Sequence, residues 1–433
     1  MRPRGQRTHT RRSFLGAAGA CVAPLIVPRG ALARQAAPSD RIGIGFIGLG
    51  GRGRSHLNAL VHNPQVRVVG LCDPFRNKCN AAHQIVQRAY AAETKASKFQ
   101  GCGCYTDFRQ LLARPDLDAV VIASPEYWHA LHALWAVRAG KDVYCEKAMT
   151  LTHYEGRRLV AAVRRHGRVF QLGTQQRSAG NFRFACELAR NGYLGPLERV
   201  QVGVPGGRAL PNAPPSDPPP DLDYEMWLGP APYSPYNRLK CSFNWYFIYD
   251  YCIGWIGSWG VHHIDIAAWG APALTTGKIA VEGTAVFPTD GLANTSIAWD
   301  VAMRTPDGLV VSFTNNRKNP QGCRFIGKEG WVHVNRGGIR ADPPSLLRTR
   351  LKASDERLYV STNHHGNFLE CIRTCRDPVA PVEAGHIATT LTIISDIATR
   401  LGRRLVWDWG TERFDDEVAN RFLRRPMRGP WTL

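Results

Sequence analysis

A glycine cluster, Gly48-Leu49-Gly50-Gly51-Arg52-Gly53, constrains this chain more than any other feature. Before it, residues 41–48 (RIGIGFIG) form a short β-rich run, and after it an amphipathic stretch continues to His62. G-x-G-x-x-G between strand and helix lets the backbone turn tightly and approach a diphosphate, whose charge the free N–H groups at the helix start hold. Alone the pattern is weak. It gains weight from VRVVGLCD at 66–73, a second strand ending on Asp73, twenty residues after Gly53. A carboxylate there accepts hydrogen bonds from both hydroxyls of an adenosine ribose. Asp73 therefore points to NAD, whereas Arg76 lies close enough to leave NADP open.

Strand and helix then keep alternating, through DAVVIASP (118–125), a helical pattern over 127–140 and KDVYCEK (141–147). The pattern predicts an α/β fold with a doubly wound parallel sheet, the Rossmann arrangement, over residues 41–150. Ligands of such sheets sit at the carboxyl ends of the strands. Ser124, Trp128, His129, Glu146 and Lys147 are accordingly expected near the cofactor, with packing at the helix start as the other reading of Trp128 and His129. Gln175 and Gln176 follow another β-like run and either meet the nicotinamide or substrate or bond to backbone as buried amides.

The first 37 residues read as a leader: paired Arg11-Arg12 before Ser13-Phe14-Leu15, a weakly apolar run to Val27, and Ala31-Leu32-Ala33. This fits a signal of the twin-arginine translocase, which exports folded proteins, and predicts a periplasmic or otherwise exported product. Gly16, Gly19 and Pro24 interrupt the run, so it is not read as a membrane anchor. The net charge is +20 over 433 residues; without the seven arginines before Gln35 it is +13. The remaining basic residues are scattered rather than clustered, which argues against a nucleic-acid reader. The odd, scattered cysteines beyond Cys21 are not a disulfide framework, and most read as small buried apolar residues.

These residues resemble the Gfo/Idh/MocA family, which includes glucose-fructose oxidoreductase and inositol dehydrogenase. The likeness is carried by GLGGRG (48–53), Asp73, ASPEYWHA (123–130), CEKAMT (145–150), GTQQRS (173–178) and GVHHIDIAAW (260–269). It implies a second, α+β domain over 151–433, including a C-terminal helical tail, built on a large, mainly antiparallel open sheet that supports the active site and a homo-oligomer interface. It also implies catalytic roles for Lys147, which matches the lysine of an E-K-P motif, and for His262, which matches the histidine of a D-x-x-x-H pair. A histidine can take an alcohol proton while hydride leaves the same carbon, and a nearby lysine can stabilise the oxyanion. Asp265, three residues on, either orients His262 or packs structurally. Two positions depart from the family pattern: Ser258 stands where the aspartate precedes the histidine, and Ala148 follows Lys147 in place of proline.

The proline-rich segment 205–223 is expected to cover a site or a partner subunit. Between Tyr224 and Trp259 aromatics are dense. Aromatic walls with a few polar groups suit a sugar's apolar faces and hydroxyls, so Arg238, Asn244, Trp245, Tyr246, Asp250 and His263 are candidate substrate contacts. A core or interface rich in aromatics is the other reading. No metal is assigned to His262-His263 or His364-His365, because neighbours on a helix point about 100° apart and seldom share an ion. Three functions are compatible with these features. The first is an exported NAD(P)-dependent oxidoreductase acting on a sugar or cyclitol hydroxyl with tightly held cofactor. The others are an NAD-dependent glycosidase or lyase using transient C3 oxidation, and a non-catalytic sugar-binding relative.

Overall fold

The computed structural model describes residues 41–94, 101–315 and 318–433; the leader and its twin arginines lie outside the described residues. The first layer is a six-stranded, all-parallel sheet in the order β3-β2-β1-β4-β5-β6. Its strands are β1 (Ile42–Ile47), β2 (Val66–Cys72), β3 (Gly103–Tyr105), β4 (Ala119–Ile122), β5 (Asp142–Cys145) and β6 (Phe170–Leu172). The helices α1 (Gly51–Leu60), α2 (Arg76–Thr94), α3 (Phe108–Leu112), α4 (Glu126–Arg138) and α5 (His153–His166) connect them. Every residue of β1, β4 and β5 is buried, as strands covered on both faces require. The parallel sheet extends to Leu172, past the boundary expected at residue 150, because β6 pairs with β5.

α5 begins at a capping box in which Thr152 accepts from the Glu155 N–H and the Glu155 side chain returns to the Thr152 N–H. α4 is buried on nearly all faces, so its charged or polar residues need internal partners. Among the described residues no helix is long and apolar enough to cross a membrane.

After α6 (Gly180–Arg190), β7 (Leu197–Val204), α7 (Tyr224–Leu228), α8 (Trp255–Ser258) and α9 (Gly260–Gly270), the chain builds a nine-stranded sheet. It adds β8 (Lys278–Val286), β9 (Ala298–Arg304), β10 (Val310–Asn315), β11 (Gly322–Gly327), β12 (Gly330–Asn335) and β13 (Gly338–Asp342), then β14 (Leu405–Asp408) and β15 (Arg413–Phe414). Only β7 and β10 pair in parallel; the other neighbours are antiparallel. All eleven residues of α9 are buried. Its first and last glycines leave no room for a Cβ beside Phe313 and Phe325, which seats the helix directly on the sheet.

Between β13 and β14 run α10 (His364–Thr374) and α11 (Val382–Leu401), and α12 (Glu417–Arg421) follows β15. The tail returns to the first domain: Phe368 and Leu369 of α10 join the core behind β1 and β2, and Trp431 meets Phe108 and Trp128 edge-on or tilted. The described cysteines are free thiols, all buried except Cys104 and Cys375.

Candidate active site

The glycine turn has the geometry that a diphosphate needs. Gly48 has φ +89°, a left-handed conformation that only glycine adopts freely, and a Cβ on it would strike the Ser124 N–H at 2.4 Å. A Cβ on Gly53 would lie 1.9 Å from the Gly48 carbonyl oxygen, so α1 packs against the turn. At Gly50 and Gly51 a Cβ would meet nothing within 4 Å. Those two face a cavity of about 720 Å³ that also reaches Arg52, Asp73, Ser124 and Trp128. Asp73 is buried, and its carboxylate accepts from the Leu49 N–H at 2.7 Å and the Phe75 N–H at 2.9 Å. Burial raises its pKa, while Lys78 and the two N–H groups oppose that rise. The open glycines, the helix N-terminus and the fixed carboxylate together fit an adenine dinucleotide.

The proline-rich segment closes this side. Asp221 accepts from the Arg76 N–H, Asp223 donates its N–H to Pro74, and Pro219 and Asp221 line the cavity.

Glu146 holds the floor together. Its Oε1 accepts from Arg52 Nε at 2.7 Å and lies 2.9 Å from His56 Nε2, whose Nδ1 is 2.7 Å from His365 Nε2. Burial pushes the Glu146 carboxyl up, but His56, Arg52 and Lys147 outweigh it and keep the group well below the usual carboxylate range. His129 does not face the cofactor cavity. Its Nδ1 and Nε2 bind the carbonyls of Ala148 and Ser124 at 2.6 and 2.8 Å, bracing the ends of β4 and β5. Burial lowers its pKa, against the pull of Glu126 and the two carbonyls. Gln175 opens the turn after β6 with its Oε1 buried and without a hydrogen bond, outside the cavity lining.

Trp245 and Tyr246 also line the cavity, stacked at 3.7 Å between ring centroids. Here Lys147 donates from Nζ to Ser258 Oγ at 2.7 Å, and the Tyr246 phenol hydrogen-bonds the same serine. The Lys147 Nζ is 5.3 Å from the centre of the Tyr246 ring. The Lys147–Ala148 peptide is cis. Burial raises the Tyr246 pKa well above 10, and Glu126 adds to it, so the phenol keeps its proton. His262 is buried, with Nδ1 lacking any hydrogen bond. Burial, then the Lys147 and Arg336 cations, hold its pKa well below 6.5, so the imidazole is neutral. Arg336, in the turn between β12 and β13, stacks on Trp259, which meets His262 edge-on.

Several expected substrate contacts lie elsewhere. His263 faces the interior: its Nδ1 is 3.1 Å from Gln176 Nε2, and burial with Arg336 and His333 lowers it to about 3. Asp265 does not orient His262; it forms a buried bidentate pair with Arg177 at 2.7 and 2.8 Å. Asn244 accepts from Arg208 at 2.6 Å, and Asp250 is exposed; neither lines the cavity, whereas exposed Arg238 does. His56, Tyr144 and Arg336 are not singled out by the sequence, and His365 enters there only as half of an adjacent histidine pair. Only their burial beside Glu146 or their place beside His262 marks them, and no motif spacing does.

Two family models cover most of the chain. The oxidoreductase family's NAD-binding Rossmann fold matches residues 42–174, and its C-terminal alpha/beta domain matches 207–433. A curated relative, glycosyl hydrolase family 109 protein 1 of Shewanella sp. (strain ANA-3), is 33% identical over 177 residues, 36% of this chain and 37% of that protein. The chain thus spans little more than a third of the length of such relatives. The WlbA dehydrogenase of Bordetella pertussis, solved with NADH and UDP-GlcNAcA, shares the fold at TM-score 0.62 and 18% identity, covering 84% of this chain and 98% of that one. The aldose-aldose oxidoreductase of Caulobacter crescentus, solved with glycerol, does so at TM-score 0.60 and 19% identity, covering 84% and 99%. With an open glycine turn for the dinucleotide, a mainly antiparallel second sheet behind the site and both halves matched, the protein belongs to the Gfo/Idh/MocA oxidoreductase family.

Proposed function

We propose that this protein is an NAD-dependent enzyme that oxidises a carbohydrate or cyclitol CH–OH group at Lys147 and His262. The reading is carried by Lys147, whose ammonium donates to the Ser258 hydroxyl and lies 5.3 Å from the ring of Tyr246, a residue that lines the dinucleotide cavity. A bound nicotinamide supplies the hydride acceptor and, in reverse, the donor. The chain's own groups do the rest. Neutral His262, whose buried Nδ1 makes no hydrogen bond, takes the substrate hydroxyl's proton on an unprotonated ring nitrogen as the carbonyl forms. The Lys147 ammonium stabilises negative charge on that oxygen. Ser258, where the family carries an aspartate, contributes a neutral hydroxyl that fixes Lys147 and Tyr246 without adding a second carboxylate beside Glu146. Trp245 and Tyr246 offer flat apolar faces to a sugar ring.

A second reading, transient oxidation at C3 followed by elimination and re-reduction, is favoured by Tyr246 and by the glycosyl hydrolase relatives. The phenol stays protonated, so it keeps an O–H that can hydrogen-bond a departing glycosidic oxygen. That route regenerates the cofactor within each cycle, which suits an enzyme exported with its dinucleotide by the twin-arginine route.

Mass spectrometry of denatured, freshly purified protein is expected to release a stoichiometric dinucleotide, NAD rather than NADP. Sugars and aryl glycosides then divide the two readings: reduced-nicotinamide absorbance supports the first, and aglycone release without net reduction supports the second. A protein that neither carries nor binds a dinucleotide overturns both. The depressed pKa of His262 also sets the pH profile. The neutral form persists below the ordinary histidine value of 6.5, so the acid limb of kcat/KM is expected below that pH and should vanish in His262→Asn. An acid limb at or above 6.5 would exclude His262 as the base. Tyr246→Phe should cost roughly tenfold in the oxidation reaction and about 10²–10⁴-fold in glycoside cleavage, where it acts as the acid.

A further inference from the structure

Away from the cleft, three side chains from distant parts of the chain meet where α5, α11 and the turn between β14 and β15 join. His153 is the first residue of α5, His386 lies in the first turns of α11, and Glu412 precedes β15. His153 and His386 are 6% and 3% exposed. Glu412 Oε2 is 3.2 Å from His153 Nε2 and 3.6 Å from His386 Nε2, and the ligand atoms of all three lie within 4.8 Å of one another. Tetrahedral zinc, with bonds of about 2.0–2.2 Å, sets neighbouring ligand atoms about 3.3–3.6 Å apart. The two edges to Glu412 already have nearly that length.

The surroundings point the same way. His386 Nε2 is buried, aimed at Glu412, and makes no hydrogen bond, since 3.6 Å is too long for one. The other edge of its ring rests on Gly156, where a Cβ would come 2.4 Å from Nδ1; only glycine lets the imidazole lie there. His153 Nδ1 is 3.1 Å from Thr390 Oγ1, the kind of outer hydrogen bond that sets the tautomer of a liganding histidine. Glu412 holds φ at +51°, a left-handed conformation that a non-glycine residue adopts at a cost. Arg157 supplies a counter-charge, with its Nε 2.9 Å from Glu412 Oε2 and its side chain 52% exposed. Half in solvent, that guanidinium can yield its place without leaving a buried charge behind.

We propose that His153, His386 and Glu412 bind one divalent transition metal with zinc's ligand preference, water completing the tetrahedron. Two imidazoles and a carboxylate are borderline ligands that suit zinc or cobalt better than calcium or magnesium. The ion would cross-link α5, α11 and the C-terminal hairpin, six residues along the chain from Lys147.

The test is to strip the full-length protein with EDTA, then titrate it near neutral pH with Zn²⁺ by calorimetry and with Co²⁺ by visible absorption. One equivalent is expected to bind, Zn²⁺ should raise Tm, and Co²⁺ should give the intense visible bands of a four-coordinate ion. Thr390→Val should weaken binding about 10–100-fold, and His386→Gln and Glu412→Gln should weaken it further. Glu412 is only partly buried, so its variant serves if His386→Gln fails to fold. Absence of stoichiometric binding by the unmodified chain overturns the site. So does unchanged affinity in Glu412→Gln, which would place the ion elsewhere.

Discussion

Replacing Lys147 with methionine is expected to lower the rate of hydride transfer about 10²–10³-fold, the usual loss when one preorganised donor to a developing oxyanion is removed. Methionine keeps an unbranched apolar stem in the same space, so packing against Tyr246 is largely retained while the charge is lost. The Lys147 ammonium donates to Ser258 at 2.7 Å and lies near the carboxylate of Glu146. Glu146 keeps Arg52 and His56 in the variant, so the floor of the site should survive. The measurement is single-turnover reduction of bound dinucleotide by whichever sugar reduces the unmodified protein, with dinucleotide content and Tm as controls. Undiminished turnover removes Lys147 from the chemistry.

The glycine turn yields a second large effect, because its members fail differently. At Gly50 the backbone is extended, with φ −66° and ψ −169°, and a Cβ would meet no protein atom within 4 Å. Gly50→Val should therefore leave Tm nearly unchanged while filling the space that a diphosphate needs. A steric cost of about 3 kcal/mol there weakens dinucleotide binding roughly 100-fold. Gly53→Ala does the reverse. Its Cβ would stand 1.9 Å from the Gly48 carbonyl oxygen and 2.9 Å from the carbonyl carbon, both backbone atoms that cannot swing aside. Alanine gains up to about 1 kcal/mol of helix propensity over glycine, but overpacking of this kind costs about 3 kcal/mol or more, so the variant loses stability as well as binding. Equal Tm values for the two variants would show that α1 does not pack on the turn as described.

Much of the cofactor half was legible in the chain. G-x-G-x-x-G, the buried strands and the acidic end of β2 are local signals: each depends on residues a few positions apart and on a period of 2 or 3.6. Gly48, Gly50 and Gly53 lie on one turn, and Asp73, at the end of β2, accepts from the Leu49 N–H of that turn. The helix start after β4 was read one residue late and its end two residues late, since α4 is buried on almost every side and has no polar stripe to mark its limits. His129 and Asp265 were drawn toward the site by their position in the motifs. Contacts from elsewhere decided otherwise: two backbone carbonyls claim His129, and Arg177, 88 residues from Asp265, claims its carboxylate.

By itself, then, the sequence determined the parallel first sheet and the glycine turn, because propensity, periodicity and glycine spacing act within a short stretch of chain. Only the tertiary structure decided what the site's side chains touch. It joined Lys147 to Ser258, surrounded His262 with enough burial and positive charge to keep it neutral, set His365 against His56, and gathered His153, His386 and Glu412 at one point. Such partners are separated by up to hundreds of residues, and hydrogen bonds and pKa values answer to distance in space rather than along the chain.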